Sequence, residues 1–197
     1  MKNLCMILID PQVGFCSPEG SLGSLYGTSE LSEIKRVIPN IKKALHESRR
    51  RHLIVSEYST GQFTDGDTQH PLANLCVPQI HNDCALIDEL ASIQYHSSVT
   101  KYEQSALSSD EFSTVIENDL KDGVRRFVLA GFLLEHCVQA TALDLLEKLS
   151  RKDTEVIICS DLVASRSKKY MNGIVTSVVT NLRNKGITIE PWNKIQP

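Results

Sequence analysis

Three residues of this 197-residue chain could form a chemical set: an aspartate at 10, a lysine at 101 and a cysteine at 137. Cys137 lies in Phe127 to Leu149, FVLAGFLLEHCVQATALDLLEKL, where a short apolar run gives way to helical spacing. Phe127–Ala130 reads as a strand buried on both faces and ended by Gly131. Val138, Ala142, Leu145, Leu146 and Leu149 then recur at helical intervals, with Gln139, Asp144, Glu147 and Lys148 between them. That spacing puts Cys137 in the first turn of a helix, where unpaired N–H groups and the helix dipole favour a thiolate over a thiol. A cysteine alone is more often a small buried hydrophobe, so it gains meaning from the other two residues. Asp10 closes the apolar run Leu4–Ile9, and Lys101 closes a run near Ser97–Thr100. In a parallel sheet all three would fall along the carboxyl ends of the strands, where such folds bind ligands. A base, a cation and a sulfur nucleophile converging there are what covalent acyl chemistry requires.

Strand-like and helix-like segments alternate through the whole chain. This predicts a single α/β domain over residues 1–197, a doubly wound six-stranded parallel sheet with helices on both faces. Strands are expected at Leu4–Ile9, His52–Ser56, Ser97–Thr100, Phe127–Ala130, Glu155–Ser160 and Ile187–Glu190. Pro39 suits the first turn of a helix running to about Arg51, with Ile41, Ala44, Leu45 and Ser48 inward. Leu86–Ala91 reads as a short helix, and Asp110 as the cap of a helix over Glu111–Leu120. Lys168–Lys185 reads as one long helix with Met171, Ile174, Val175, Val178 and Leu182 on one side. SPEGSLGSLYG, from Ser17, is turn-rich and expected to be irregular. Residues 60–84, with Gly61, Gly66, Pro71 and Pro78, are expected to loop over the mouth of the sheet.

Composition narrows the classes. Hydrophobic residues make up 41% of the chain, enough for a core. With 21 basic and 24 acidic residues, net charge −3 and no dense Lys/Arg run, nothing points to nucleic acid or an anionic membrane. No apolar run approaches membrane-spanning length. Lys2 ahead of Leu4–Ile9 looks like the start of a signal peptide, but the run is too short, Asp10-Pro11 interrupts it, and no small-residue cleavage site follows. The expectation is a first strand in a cytoplasmic protein. The six cysteines include no CxxC pair, and Cys5 and Cys159 fall in strand-like runs, so reduced thiols are expected.

The segments LIDPQVGF, TKYEQSAL and AGFLLEHCVQATALD resemble the three signatures of the isochorismatase-like cysteine hydrolases, a superfamily that includes nicotinamidases and N-carbamoylsarcosine amidase. The resemblance spans nearly the whole chain. It implies the sheet described above, a catalytic triad of Asp10, Lys101 and Cys137, a cis peptide joining Phe132 to Leu133, and an oxyanion hole formed by the N–H groups of Leu133 and Cys137. The implied reaction is hydrolysis of a small amide or other carbonyl–nitrogen bond through a thioester, without a cofactor. Phe15, Glu57, Tyr58, Phe132, Leu134 and the 60–84 loop are expected to wall the substrate pocket, with His136 in a capping or pocket-wall role. Relatives with this fold usually associate, which implies a homodimer or homotetramer.

Two departures stand out. Leu134 occupies a position where the family usually has threonine. Glu57 and Ser59 stand where nicotinamidases carry a metal-binding aspartate and histidine, so no metal is expected. Asp65, Asp67, His70 and His81 match no metal motif by spacing. Two other readings remain: cleavage of a vinyl ether, as isochorismatases proper perform without the cysteine, and a non-catalytic binding or assembly protein on the same fold. If the triad forms, Cys137 is expected to alkylate at lower pH than the other cysteines, and Lys101→Met is expected to keep the melting temperature within a few degrees while losing at least roughly a hundredfold in kcat.

Overall fold

The computed structural model describes residues 3–150 and 153–195; Met1 and Lys2, ahead of the first apolar run, lie outside them. The strands are β1 (Leu4–Ile9), β2 (Arg51–Ser56), β3 (Ser97–Lys101), β4 (Arg126–Phe132), β5 (Glu155–Ala164) and β6 (Thr188–Glu190). They form one sheet in the order β3-β2-β1-β4-β5-β6, and every pairing is parallel. The chain winds outward from β1 to β3, then returns to lay β4 on the other side of β1. Ligand crevices open at the carboxyl ends of strands where the order reverses in this way.

The helices are α1 (Val13–Cys16), α2 (Ser21–Tyr26), α3 (Ser32–Glu47), α4 (Asp88–Ala91), α5 (Asp110–Lys121), α6 (Gln139–Leu149), α7 (Ser167–Met171), α8 (Ile174–Asn184) and α9 (Trp192–Ile195). All six residues of β1 are buried, which is why its sequence is continuously apolar. Leu4, Met6 and Leu8 pack into one layer with α3 and α9. Cys5, Ile7 and Ile9 pack into the other with α5, α6 and α8. No helix among the described residues is long and apolar enough to cross a membrane.

Several local expectations are corrected. Helix α3 starts at Ser32 and carries Pro39 in its interior. The missing hydrogen bond and ring clash cost about 3 kcal/mol, but Ile34, Val37 and Ile38 extend the buried stripe, each worth about 1.5–3 kcal/mol. The stretch from Ser17 is helical over α2, because Leu22 and Gly23 pack inward; a Cβ on Gly23 would lie 2.4 Å from the Ser17 carbonyl. Asp110 is the first residue of α5 rather than its cap, and Ser109 precedes it. The last helix breaks at Gly173, whose φ of +76° closes α7 before α8 begins. Met171, expected inward, is 78% exposed as a result.

Gly131 does not end β4. The strand runs on to Phe132, and Gly131 pairs with Ile9 at φ +109°. A Cβ there would meet the Ile9 carbonyl oxygen at 2.0 Å, so glycine lets β1 and β4 close on each other just before the residues that follow them. Gly131→Ala is therefore expected to destabilise the fold by more than about 2 kcal/mol. Urea denaturation of the two proteins measures this, and coincident midpoints would contradict it.

Candidate active site

Asp10 follows β1 in a left-handed conformation, φ +53°, with its N–H bonded to Ile54 O at 2.9 Å. Positive φ in a non-glycine residue is uncommon and persists where the surroundings enforce it. On the neighbouring strands Ser56 and Lys101 sit in register at the carboxyl ends of β2 and β3. Asp10, Ser56 and Lys101 are all fully buried. Lys101 Nζ lies 3.1 Å from Asp10 Oδ2 and 3.3 Å from Cys137 Sγ. It also reaches Ser56 Oγ at 2.7 Å, the Tyr58 hydroxyl at 2.8 Å and Glu103 O at 3.1 Å. Ser56 Oγ donates to Asp10 Oδ1 at 2.9 Å.

Cys137 is not in the first turn of an α-helix. The Val138 N–H reaches back five residues to Leu133 O at 3.2 Å, so Leu134–Val138 form a wide π-type turn ahead of α6. Such turns recur at functional sites. The Phe132–Leu133 peptide bond is cis. Tyr58 follows β2, and its hydroxyl lies 3.6 Å from Cys137 Sγ.

Burial decides the charge state of the sulfur. It pushes the Cys137 thiol up, the Asp10 charge adds to this, and Lys101 and the Tyr58 hydroxyl pull back, leaving it at about 12. Burial thus opposes the thiolate expected from a helix dipole. Cys84 is the cysteine whose thiol is lowered, by a hydrogen bond from Cys76, so it should alkylate before Cys137. Burial alone would depress Lys101, but the charges of Asp10 and Cys137 leave it raised. Burial lowers His136, Glu135 opposes this, and Lys169 and Arg166 add to the lowering, so a neutral imidazole faces the pocket.

The pocket above Cys137 has a volume of about 190 Å³. Phe15, Leu22, Tyr26, Tyr58, Phe63, Leu72, Leu75 and Leu133 give it apolar walls, and Gln104, His136 and Arg166 supply polar groups. Arg166 lies 3.6 Å over the Tyr26 ring and pairs with Glu30 at 3.3 Å. The 60–84 loop thus contributes Phe63, Leu72 and Leu75 to the wall.

Three residues expected in the pocket are elsewhere. Glu57 opens on a separate cleft with Ser59, Gln62 and Tyr102. Tyr58 lines both that cleft and the pocket, and its hydroxyl is the group that reaches Cys137. Phe132 is buried in the α3 layer and Leu134 in the α6 layer. The sequence reading passed over Gln12, fully buried, whose amide accepts from Ser56 N at 2.7 Å and donates to Ser56 O at 3.0 Å and Cys84 O at 3.1 Å. It also passed over Ser56 as a site residue, although a polar residue ending the strand beside β1 was a readable signal.

The strand order and its reversal define a doubly wound α/β protein with its site at the switch point. A family model for the isochorismatase domain matches residues 5–182, and the chain belongs to the isochorismatase family. No curated protein sequence matches it. Among solved structures, an isochorismatase-like hydrolase from Alkaliphilus metalliredigens superposes with a TM-score of 0.74 at 16% identity, covering 98% of this chain and 97% of that one. A pyrazinamidase/nicotinamidase from Streptococcus mutans gives 0.67 at 21%, covering 94% and 99%. A zinc complex of the pyrazinamidase of Pyrococcus horikoshii gives 0.73 at 19%, covering 96% and 99%. At these identities the likeness is one of fold.

The residues of this chain do not fit a metal beside the pocket. Glu57 and Ser59 face the separate cleft, and Asp65, Asp67, His70 and His81 form no ligand group. Among the described residues, three candidate ligands converge at Cys5, His52 and Asp119, none of which lines the pocket. There His52 is already bonded to Asp119 at 3.0 Å and Ser97 at 2.7 Å, and Arg50 pairs with Asp119 at 3.1 Å.

The burial of Lys101 changes the outcome expected for its removal. Lys101→Met strands a buried carboxylate and should cost roughly 3 kcal/mol or more at neutral pH. Lys101 is raised above its ordinary 10.5, so its contribution is fully present below that value and fades as pH climbs through the raised one. Denaturant titrations of both proteins at about pH 7 and about pH 11 should show a gap that narrows at the higher pH. Equal stability at neutral pH would refute this.

Proposed function

We propose that this chain hydrolyses the carbonyl–nitrogen bond of a small amide through a thioester on Cys137. The observation that carries this reading is the 3.3 Å contact of Cys137 Sγ with Lys101 Nζ, beside buried Asp10, on the wall of an apolar pocket. Asp10 Oδ2 pairs with Lys101 Nζ at 3.1 Å, and a side-chain hydrogen bond links Asp10 to the Cys137 thiol. Asp10 is the acceptor for the thiol proton.

The sulfur attacks the carbonyl carbon as its proton passes to Asp10. The N–H groups of Leu133 and Cys137 receive the oxyanion, a contribution of about 3–4 kcal/mol per donor in other systems. The tetrahedral adduct collapses, the C–N bond breaks, and Asp10 returns the proton to the leaving amine. Asp10 then takes a proton from water as the oxygen attacks the thioester, and the released thiolate recovers that proton as the acid departs. Lys101 steadies whichever of carboxylate and sulfur is anionic. Vinyl-ether cleavage would have no use for a sulfur held against the ammonium.

Pocket size bounds the substrate. A cavity of about 190 Å³ is smaller than the roughly 300–1,000 Å³ of sites for drug-sized ligands. The substrate is therefore compact, with an apolar body and an acceptor group for Gln104, His136 or Arg166.

Screening amides, carbamoyl compounds and ureido acids should identify a substrate, and Cys137→Ala should lower its turnover at least roughly 10⁴-fold. Near wild-type turnover by that variant would sink the proposal. Prolonged EDTA treatment should leave activity unchanged. Loss restored by zinc, iron or manganese would mean that the 60–84 loop supplies ligands after all.

A further inference from the structure

The hydrogen bonds around Lys101 leave one hydroxyl proton for the sulfur. The ammonium has three protons and faces five acceptors within 3.3 Å: Ser56 Oγ, Tyr58 OH, Asp10 Oδ2, Glu103 O and Cys137 Sγ. Ser56 Oγ has Asp10 Oδ1 at 2.9 Å and the Tyr58 oxygen at 2.7 Å as acceptors. The Tyr58 oxygen accepts from Ser56 and from Lys101, which leaves its own proton for Cys137 Sγ at 3.6 Å. The ring itself is fixed. It is 5% exposed, meets Phe63 edge-on at 4.6 Å, and its backbone N–H is bonded to Cys76 O at 2.9 Å.

We propose that Tyr58 is a catalytic residue: as the thiol loses its proton, the Tyr58 hydroxyl donates to Cys137 and, with Lys101, holds the sulfur as a thiolate. This rests on Cys137 being the nucleophile. The tyrosine keeps its own proton throughout. The thiol proton goes to Asp10, and Tyr58 supplies a hydrogen bond rather than an acid. Burial pushes the tyrosine hydroxyl far above its ordinary range, so it stays a donor. A hydrogen bond to an anion is roughly twice as strong as one between neutral groups, so this donor favours thiolate over thiol. The same residue anchors the root of the 60–84 loop, which makes the position of the pocket wall and the charge on the nucleophile depend on one side chain.

Tyr58→Phe tests this, because it keeps the ring, its contact with Phe63 and its backbone bond while deleting the hydroxyl. Alkylation of Cys137 by iodoacetamide is followed by mass spectrometry, with Cys84 in the same digest as the reference. Loss of one donor to the anion should raise the thiol by about one pH unit and slow Cys137 alkylation about tenfold at each pH from about 7 to 10. Cys84 reactivity should stay as in the wild type. A role confined to packing would leave the ratio unchanged, or raise it by opening the site, and either result overturns the proposal. So does a Cys137 that alkylates in neither protein. The hydrolytic reading fails separately: a tenfold slower alkylation with no amide turned over would refute that reading and leave Tyr58 as the thiolate donor. Amide hydrolysis lost in Cys137→Ala but equal in Tyr58→Phe and wild type, with equal alkylation, would refute only the role of Tyr58.

Discussion

An ammonium and a carboxylate, both withdrawn completely from water, are the constraint on which this structure depends. Burying an ion costs several kcal/mol even after relaxation, and mutual attraction offsets that only when further hydrogen bonds satisfy each group. Lys101 and Asp10 obtain those bonds from separate parts of the chain. Ser56 comes from the end of β2, Tyr58 from the loop beyond it, the Glu103 carbonyl from the turn after β3, and Cys137 from the wide turn after β4. Such a pair adds little net stability compared with well-packed apolar residues. Its consequence is a positive charge held 3.3 Å from the Cys137 sulfur, opposing the burial that pushes the thiol up.

Backbone in unusual conformations gathers around the pair. Asp10 has positive φ, Gly131 has positive φ on the adjacent strand, and the turn before α6 is one residue wider than an α-turn. Strained conformations persist where surrounding contacts over-determine them, and they cluster at functional sites. Gln12 is one such set of contacts, tying the chain after β1 to both backbone groups of Ser56 and to Cys84. Asp83 is another, accepting from the backbone of Ser21 and of Cys76 and so joining α2 to the irregular loop. These buried polar side chains take the place of a regular ladder where the strands end.

The local misreadings have physical causes that recur. Pro39 looks like a helix start because the first turn tolerates a missing N–H, yet burial of Ile34, Val37 and Ile38 carries α3 past it. Gly131 looks like a strand end because glycine punctuates chains, yet the missing side chain permits close approach to Ile9. Gly173 sits within a helical pattern and breaks it, turning Met171 outward. The short helices α1 and α2 carry little periodic signal of their own and are held by packing against neighbours distant in sequence. At Pro39, Gly131 and the short helices a long-range contact overrode a local preference; at Gly173 a local conformation broke a periodic pattern.

What the sequence determined by itself was the alternation of strand and helix, the parallel sheet, and the presence of Asp10, Lys101 and Cys137 at or just after strand ends. Those follow from periodicity and chain order, which are local properties. Only the tertiary structure decided that Tyr58 rather than Glu57 faces the sulfur, that Ser56 bridges to Asp10, and that burial pushes the Cys137 thiol up. Charge state depends on desolvation and on distances between groups up to a hundred residues and more apart, and no spacing along the chain encodes either.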